Sequence, residues 1–344
     1  MPRPTIDDVA SLAGVSIKTV SRVVNREPNV RDATREKVEK AIAQLKYRPN
    51  PSAQNLAALR ARLIVLIYDD PSYYEAPSAG YIINMHQGAL SACQKAGFEL
   101  LIHPCNYRDR KVGSELRALI EQVRPSGIII AAPLSNMPKI ARAVSDTGTP
   151  CVRLAHGSSN GKEYSVATND REISAQMTCY LAGQGHTRIA FIKGNKQHKA
   201  VGNRFDGYLD GLEQSGLPFR EELVAEGDNS IGSGEECAKK LLRIRRRPTA
   251  IFAANDDMAA GVLRVATRMG IKVPDELSIA GCDDIALAQQ IYPSLTTIRQ
   301  PLDAMAEVAS LALIDGVRGN PRDPGLEIIP GTIRVRESTG PAPK

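Results

Sequence analysis

Lys18 and Arg22 stand one helical turn apart in the run "TIDDVASLAGVSIKTVSRVVN", which begins at Thr5 and ends at Asn25. On the first turns of a helix set in a major groove, a lysine and an arginine donate to guanine O6 and N7, and Ile17 offers an apolar surface to a thymine methyl. Ser16, Thr19, Ser21 and Asn25 are short donors that suit phosphate oxygens, contacts that fix register without reading sequence. A second set lies farther along the chain: Tyr68, Asp70, Tyr73, Arg153, Arg204 in "GNRFDGY", Asn255 in "AAND" and Asp283 in "GCDD". Charged, phenolic and amide groups converging on one cleft suit a ligand rich in hydroxyls, the arginine donating through its fork.

Chemistry of other kinds is not encoded. There is no G-x-x-x-x-G-K-[ST] phosphate loop, no H-E-x-x-H helix and no G-x-G-x-x-G after a strand, and the five histidines are unpaired, so neither an enzyme nor a cofactor is expected. The six cysteines form no C-x-x-C pair and have no histidine at ligand spacing, which reads as reduced thiols rather than a metal site or disulfide frame. The first eight residues hold no apolar stretch and no run of 18 apolar residues occurs, so a cytoplasmic protein without a membrane span is expected.

Ile6, Val9, Ala10 and Ala13 recur at helical spacing behind a Thr5/Asp8 capping box. Gly14 stops that helix, Ser16 caps a second through Val20 and Val23, and Val38, Ala41, Ile42 and Leu45 supply a third. Two short helices joined by a glycine turn make a helix-turn-helix. Residues 1–62 carry 12 basic and 6 acidic side chains and the rest of the chain balances, so the whole excess of six positive charges sits in this module. A basic head on a neutral body points to a polyanion as the head's partner.

"PNPSAQNLAALRAR" at 49–62 follows, with Asn50 placed to cap and Pro51 at a first helical position. It is too short to hold a helix unaided, since isolated helices under about 12–15 residues are marginal in water. Beyond it, "LIVLIYDD", "FELLIHP", "GIIIAAP" and "PCVRLA", then "RIAFIKG", "AIFAAND" and "LSIAGCDD", are short apolar runs separated by amphipathic stretches. They read as buried parallel strands of two α/β subdomains.

The run from Thr5, the "TREKVEKAIAQLKYRPN" after it and the hinge stretch together resemble the lactose/galactose repressor (LacI/GalR) family closely over residues 5–58. The resemblance implies an all-α helix-turn-helix head at 1–48, a hinge helix at 49–61, and a periplasmic-binding-protein-like α/β body at 62–344 for effector binding and dimerisation. The first subdomain is expected over 62–164 and 294–325, with "LTTIRQP" returning to it, and the second over 165–293 and 326–340. The family's pattern implies a homodimer on a pseudo-palindromic operator, with Thr5, Tyr47, Asn50 and Ala53 joining the DNA-facing set and Leu56 wedging into the central base step. Gln54 stands where many relatives carry arginine. Arg204, Asn255 and Asp283 match the family's effector positions, whereas Ala155 stands where an acid is usual. That departure, with Arg153 and Arg204 in one cleft, would tolerate an acidic sugar. His186 takes the place of a structural histidine, and the tail "ESTGPAPK" lacks the heptads of a tetramerising zipper. The implied function is a repressor released from its operator by a sugar, the alternatives being a purine-corepressed regulator and a sugar-binding protein that does not touch DNA.

Overall fold

The computed structural model describes residues 4–24, 30–45, 47, 62–70, 80–155 and 163–344. The chain divides into two compact units, Met1–Ala61 and Arg62–Lys344.

In the first unit three helices form, Ile6–Ala13 (α1), Ile17–Val24 (α2) and Asp32–Leu45 (α3). The capping box is made: Thr5 Oγ1 accepts the Asp8 amide at 3.3 Å and Asp8 Oδ2 accepts the Thr5 amide at 2.8 Å. Gly14 closes α1 at φ 64°, a left-handed turn that a side chain would strain. Ser16 Oγ accepts the Thr19 amide at 3.2 Å where α2 begins. Val9, Ala10, Val20, Val23, Val38 and Ala41 are the buried core, with Ile6, Ala13, Ile42 and Leu45 packed around it, which are the three apolar stripes of the sequence.

The second unit is built from two six-stranded sheets. Its elements run Leu63–Asp69 (β1), Gly80–Ala96 (α4), Glu99–Cys105 (β2), Val112–Val123 (α5), Gly127–Ala131 (β3), Pro138–Ser145 (α6), Cys151–Leu154 (β4) and Tyr164–Ala167 (β5). Then come Asp170–Gly183 (α7), Ile189–Lys193 (β6), Lys199–Gln214 (α8), Val224–Glu226 (β7), Ile231–Leu241 (α9), Ala250–Ala253 (β8), Asp256–Arg268 (α10), Ser278–Asp283 (β9), Ala286–Gln290 (α11) and Thr296–Arg299 (β10). Leu302–Val317 (α12), Gly325–Ile328 (β11) and Thr332–Arg334 (β12) finish the body. The first sheet has the order β2-β1-β3-β4-β5-β11, all parallel. The second has the order β7-β6-β8-β9-β10-β12, parallel except for β12 against β10. The inner strands of each sheet are buried on both faces and continuously apolar: Ile128, Ile129 and Ile130 of β3, and Ala250, Ile251 and Phe252 of β8, are all buried.

The chain passes between the lobes three times, after β5, after β10 and after β11. Here the expected boundaries need correction. Thr296–Arg299, expected in the first subdomain, pairs with Ala280–Asp283 of β9 in the second sheet, and the return follows it, through α12 and β11. Tyr164–Ala167 in turn belongs to the first sheet. Thr296–Arg299 holds a single apolar residue, Ile298, so its own residues do not choose a sheet. What fixes β10 is the tail beside it: the Thr296 amide donates to Ser338 Oγ (2.8 Å), whose hydroxyl donates to the Ile279 carbonyl (2.6 Å). Close helix packing depends on glycine at Gly88 of α4, where a Cβ would stand 1.9 Å from the Asp303 carbonyl oxygen of α12.

Candidate functional site

On α2 the buried positions Val20 and Val23 leave Ile17 (47% exposed) and Lys18 at the surface of the first turn, with Ser21 and Arg22 half-buried one turn on. The Ser16 and Thr19 hydroxyls are 2.9 Å apart and bonded to each other, so the pair that caps α2 also presents two oxygens at its start. Thr5 is exposed at the start of α1, and Tyr47 packs against the core, its amide donating to the Ile42 carbonyl at 3.0 Å. Asn25, Asn50, Ala53, Gln54 and Leu56, together with Tyr73 of the second set, lie outside the described residues.

In each lobe the strand order reverses at one place, β2-β1-β3 in the first and β7-β6-β8 in the second. Parallel sheets take ligands beyond the carboxyl ends of the strands at such reversals. A cavity of about 360 Å³ lies there, lined by both lobes. The first lobe supplies mainly aromatic and apolar surface, from Tyr68, Tyr81, Met85, Tyr107, Pro133 and Ala155. The second supplies mainly polar groups, including Asn195, Arg204, Asp228, Asn255, Asp257, Asp283 and Gln300.

Arg204, on α8, is the centre of the polar wall. Its Nε donates to Asp170 Oδ1 at 2.8 Å and its Nη1 to the Ala254 carbonyl at 2.6 Å, with Asp283 Oδ1 3.7 Å away. Gln300 Nε2 donates to the same Asp283 oxygen. Burial pushes the Asp283 carboxyl upward from the usual range while the Arg204 charge pulls it down; burial likewise raises Asp170 against the same guanidinium. Asp283 and Asp284 both take positive φ, 131° and 57°, so the "GCDD" turn is strained and must be held. Asp256 beneath it does the holding, accepting the Ile285 amide at 3.0 Å and the Thr297 hydroxyl at 2.5 Å. Burial raises the Asp256 carboxyl to about 7, those two bonds opposing. Asn255 caps α10, accepting the Met258 amide at 3.0 Å, and its Nδ2 donates to the Asn229 carbonyl at 2.9 Å. It thus serves the helix and lines the cavity at once.

Of the second set, Tyr68, Arg204, Asn255 and Asp283 meet in this cavity. Arg153 is not part of its lining: it lies on β4, 8% exposed, and pairs with Glu163 ten residues on. Asp70 is not part of it either; the preceding Asp69 is, its Oδ1 accepting the Tyr107 amide at 3.0 Å. The sequence reading missed Tyr107 and Arg108 after β2, Asn195 and His198 after β6, Asp228 after β7 and Gln300 after β10. Asn195, Asp228 and Gln300 stand just past the carboxyl ends of β6, β7 and β10, where parallel sheets take ligands, and that position is the signal that finds them. His198 is held neutral, pushed down to about 4 by burial and then by the nearby Arg204 charge. His186 is structural, bonded to Thr249, Ser278 and the Gly340 carbonyl at 2.9–3.1 Å. Among the described residues no group of three His, Cys, Asp or Glu side chains is placed to hold a metal ion, and no helix is long and apolar enough to cross a membrane.

Comparison with known proteins agrees with this architecture. Residues 5–50 match the bacterial regulatory proteins of the lacI family, and residues 178–339 match a periplasmic binding protein-like domain. The HTH-type transcriptional regulator DegA of Bacillus subtilis (strain 168) is 33% identical over 98% of this chain and 99% of its own length. The chain belongs to the lacI family. Like its relatives, this family member is a transcriptional regulator with a helix-turn-helix head. Two solved structures, each 28% identical, cover 98% of this chain and all of theirs: a lac repressor dimer bound to operator and the anti-inducer ONPF, at a TM-score of 0.75, and a transcriptional regulator CelR-cellobiose complex, at 0.74.

Proposed function

We propose that this lacI-family regulator is a homodimeric repressor that reads a pseudo-palindromic operator through α2 and is released by an uncharged carbohydrate held between the lobes of the body. Lys18 and Arg22 read base edges, Ile17 touches a thymine methyl, and the Ser16, Thr19 and Ser21 hydroxyls bind phosphates. The segment 49–61 carries the effector's message to the heads, by the folding on DNA that its short length and the family resemblance imply.

The observation that carries the effector reading is the charge of the cavity wall. Asp69, Asp228, Asp257 and Asp283 line it against two guanidiniums, Arg108 and Arg204. Arg204 is already bonded to Asp170, and Arg153, the second cation expected beside it, faces Glu163 instead. Such a wall repels a carboxylate and offers acceptors to the hydroxyls of a neutral sugar, whose apolar face suits the tyrosines opposite. The cellobiose held by the CelR neighbour is a ligand of this kind.

Selection of bound fragments from a random DNA pool by the full-length protein, then competition with neutral sugars, tests this function. A near-palindromic consensus whose binding weakens as salt rises and is released by a neutral sugar is the expected result. Binding without sequence preference, or release only by nucleosides, would overturn it.

A further inference from the structure

Two side chains of the first lobe reach across the mouth of the cavity. Tyr107 and Arg108 follow β2, and their loop is fixed from within its own lobe: Asp69 Oδ1 accepts the Tyr107 amide at 3.0 Å and Asn106 Oδ1 accepts the Arg108 amide at 2.9 Å. The Tyr107 hydroxyl accepts from Asn195 Nδ2 of the second lobe at 3.0 Å, and Arg108 Nε donates to that hydroxyl at 3.2 Å. Asn195 is itself held, its Oδ1 accepting the Gln197 amide at 2.9 Å and its own amide donating to Asn229 Oδ1 at 3.0 Å. The Arg108 charge also reaches Asp228 of the second lobe. Burial raises that carboxyl, but the Ser230 and Ser233 bonds and the Arg108 charge together bring it below the ordinary range.

We propose that Tyr107 and Arg108, engaging Asn195 and Asp228, form a latch that holds the two lobes together over the cavity before any effector arrives. Three chain crossings also join the lobes, and Gly80 of α4 lies close against Ile285 of the second lobe, but separating the lobes has in addition to break this hydrogen bond and this charge attraction. The latch is therefore a positioning and selecting device. Entry waits for it to open; a ligand small enough to be enclosed lets it shut again, and a longer one props it open. The inference rests on reading the cavity as the effector site, yet its test needs no effector.

The test is a distance measurement by pulsed electron resonance on the full-length, ligand-free protein. Spin labels are attached through unnatural amino acids at Lys139 of the first lobe and Lys240 of the second, which spares the native cysteines. The unsubstituted protein is expected to show one predominant distance. The Tyr107→Phe/Arg108→Gln variant is expected to raise the ratio of a longer, open population to the closed one about ten-fold, as loss of one hydrogen bond and one exposed charge attraction implies. Arg108→Lys, which keeps the charge, should restore part of the closed population. Superimposable distributions for variant and parent would overturn the latch. A broadened distribution that tracks a fallen melting temperature, and that Arg108→Lys does not improve, would also overturn it, as a purely structural effect. A protein that closes as described but binds no sugar would refute the effector reading and leave the latch standing.

Discussion

The two walls of the cleft are made by opposite strategies. The second lobe presents a fixed network in which Asp170, Arg204, Asp283 and Gln300 satisfy one another, over a strained turn anchored by Asp256. The first lobe presents aromatic surface, Tyr68 stacked edge-on against His86 at 4.9 Å, with Tyr81 and Tyr107 beside it. A buried charge network tolerates no loss, because each member left alone is an unpaired charge in a dry place. An aromatic wall gives contact area and some freedom. For the carbohydrate proposed above, orientation would therefore belong to the second lobe and affinity for its apolar face to the first.

Breaking the network should have the largest effect. Arg204→Ala strands Asp170 and Asp283 in the interior, and a loss of about 3–5 kcal/mol in urea unfolding is expected; a loss under about 1 kcal/mol would mean that the network is not what holds the wall. Next comes Gly88→Ala in the first lobe, where the added methyl meets the Asp303 carbonyl. Overpacking of this kind costs about 1–3 kcal/mol, and since it acts at the α4–α12 contact it should leave the network intact. Tyr68→Ala sharpens the comparison from the other side: sugar affinity, followed by calorimetry, should fall about ten-fold, worth about 1.4 kcal/mol, with the melting temperature changing less than in Arg204→Ala. The smallest effect concerns pH. His198, held near 4 in the folded protein, binds a proton more weakly than in the unfolded chain. Its contribution to stability is thus complete above about pH 6.5 and is lost as pH falls toward 4. His198→Gln should flatten that part of the unfolding curve, and an unchanged slope would argue against a neutral His198.

How much of this was legible in the sequence depended on the range of the contacts involved. The head was legible nearly whole, because a capping box at Thr5, a turn glycine at 14 and three stripes at helical spacing are all written within a few residues of one another. The apolar inner strands of the body were legible for the same reason, whereas β5, β7 and β11, short and mixed with polar residues, were not. Which sheet β10 joins was not, since the bonds that decide it come from Ser338 and Thr339, some forty residues away. Arg153 was misplaced because its pairing with Glu163 cannot be told from a ligand contact by residue type. Asp70 was misplaced by one residue: Asp69, the last residue of β1, lines the cavity instead. Arg204 and Asp283 were named through family resemblance, but that Arg204 is held by Asp170 and Asp283, and so leaves little positive charge for a ligand, is a fact of three dimensions.

The charge of that cleft decides which effector it holds. A thermal-shift comparison of the full-length protein with neutral sugars, the matching uronates and nucleosides tests it most directly. At about 100 times its dissociation constant a bound ligand adds about 2.7 kcal/mol of stability. The account predicts that a neutral sugar raises the melting temperature while its uronate does not. Equal or greater stabilisation by the uronate, or stabilisation by nucleosides alone, would contradict it.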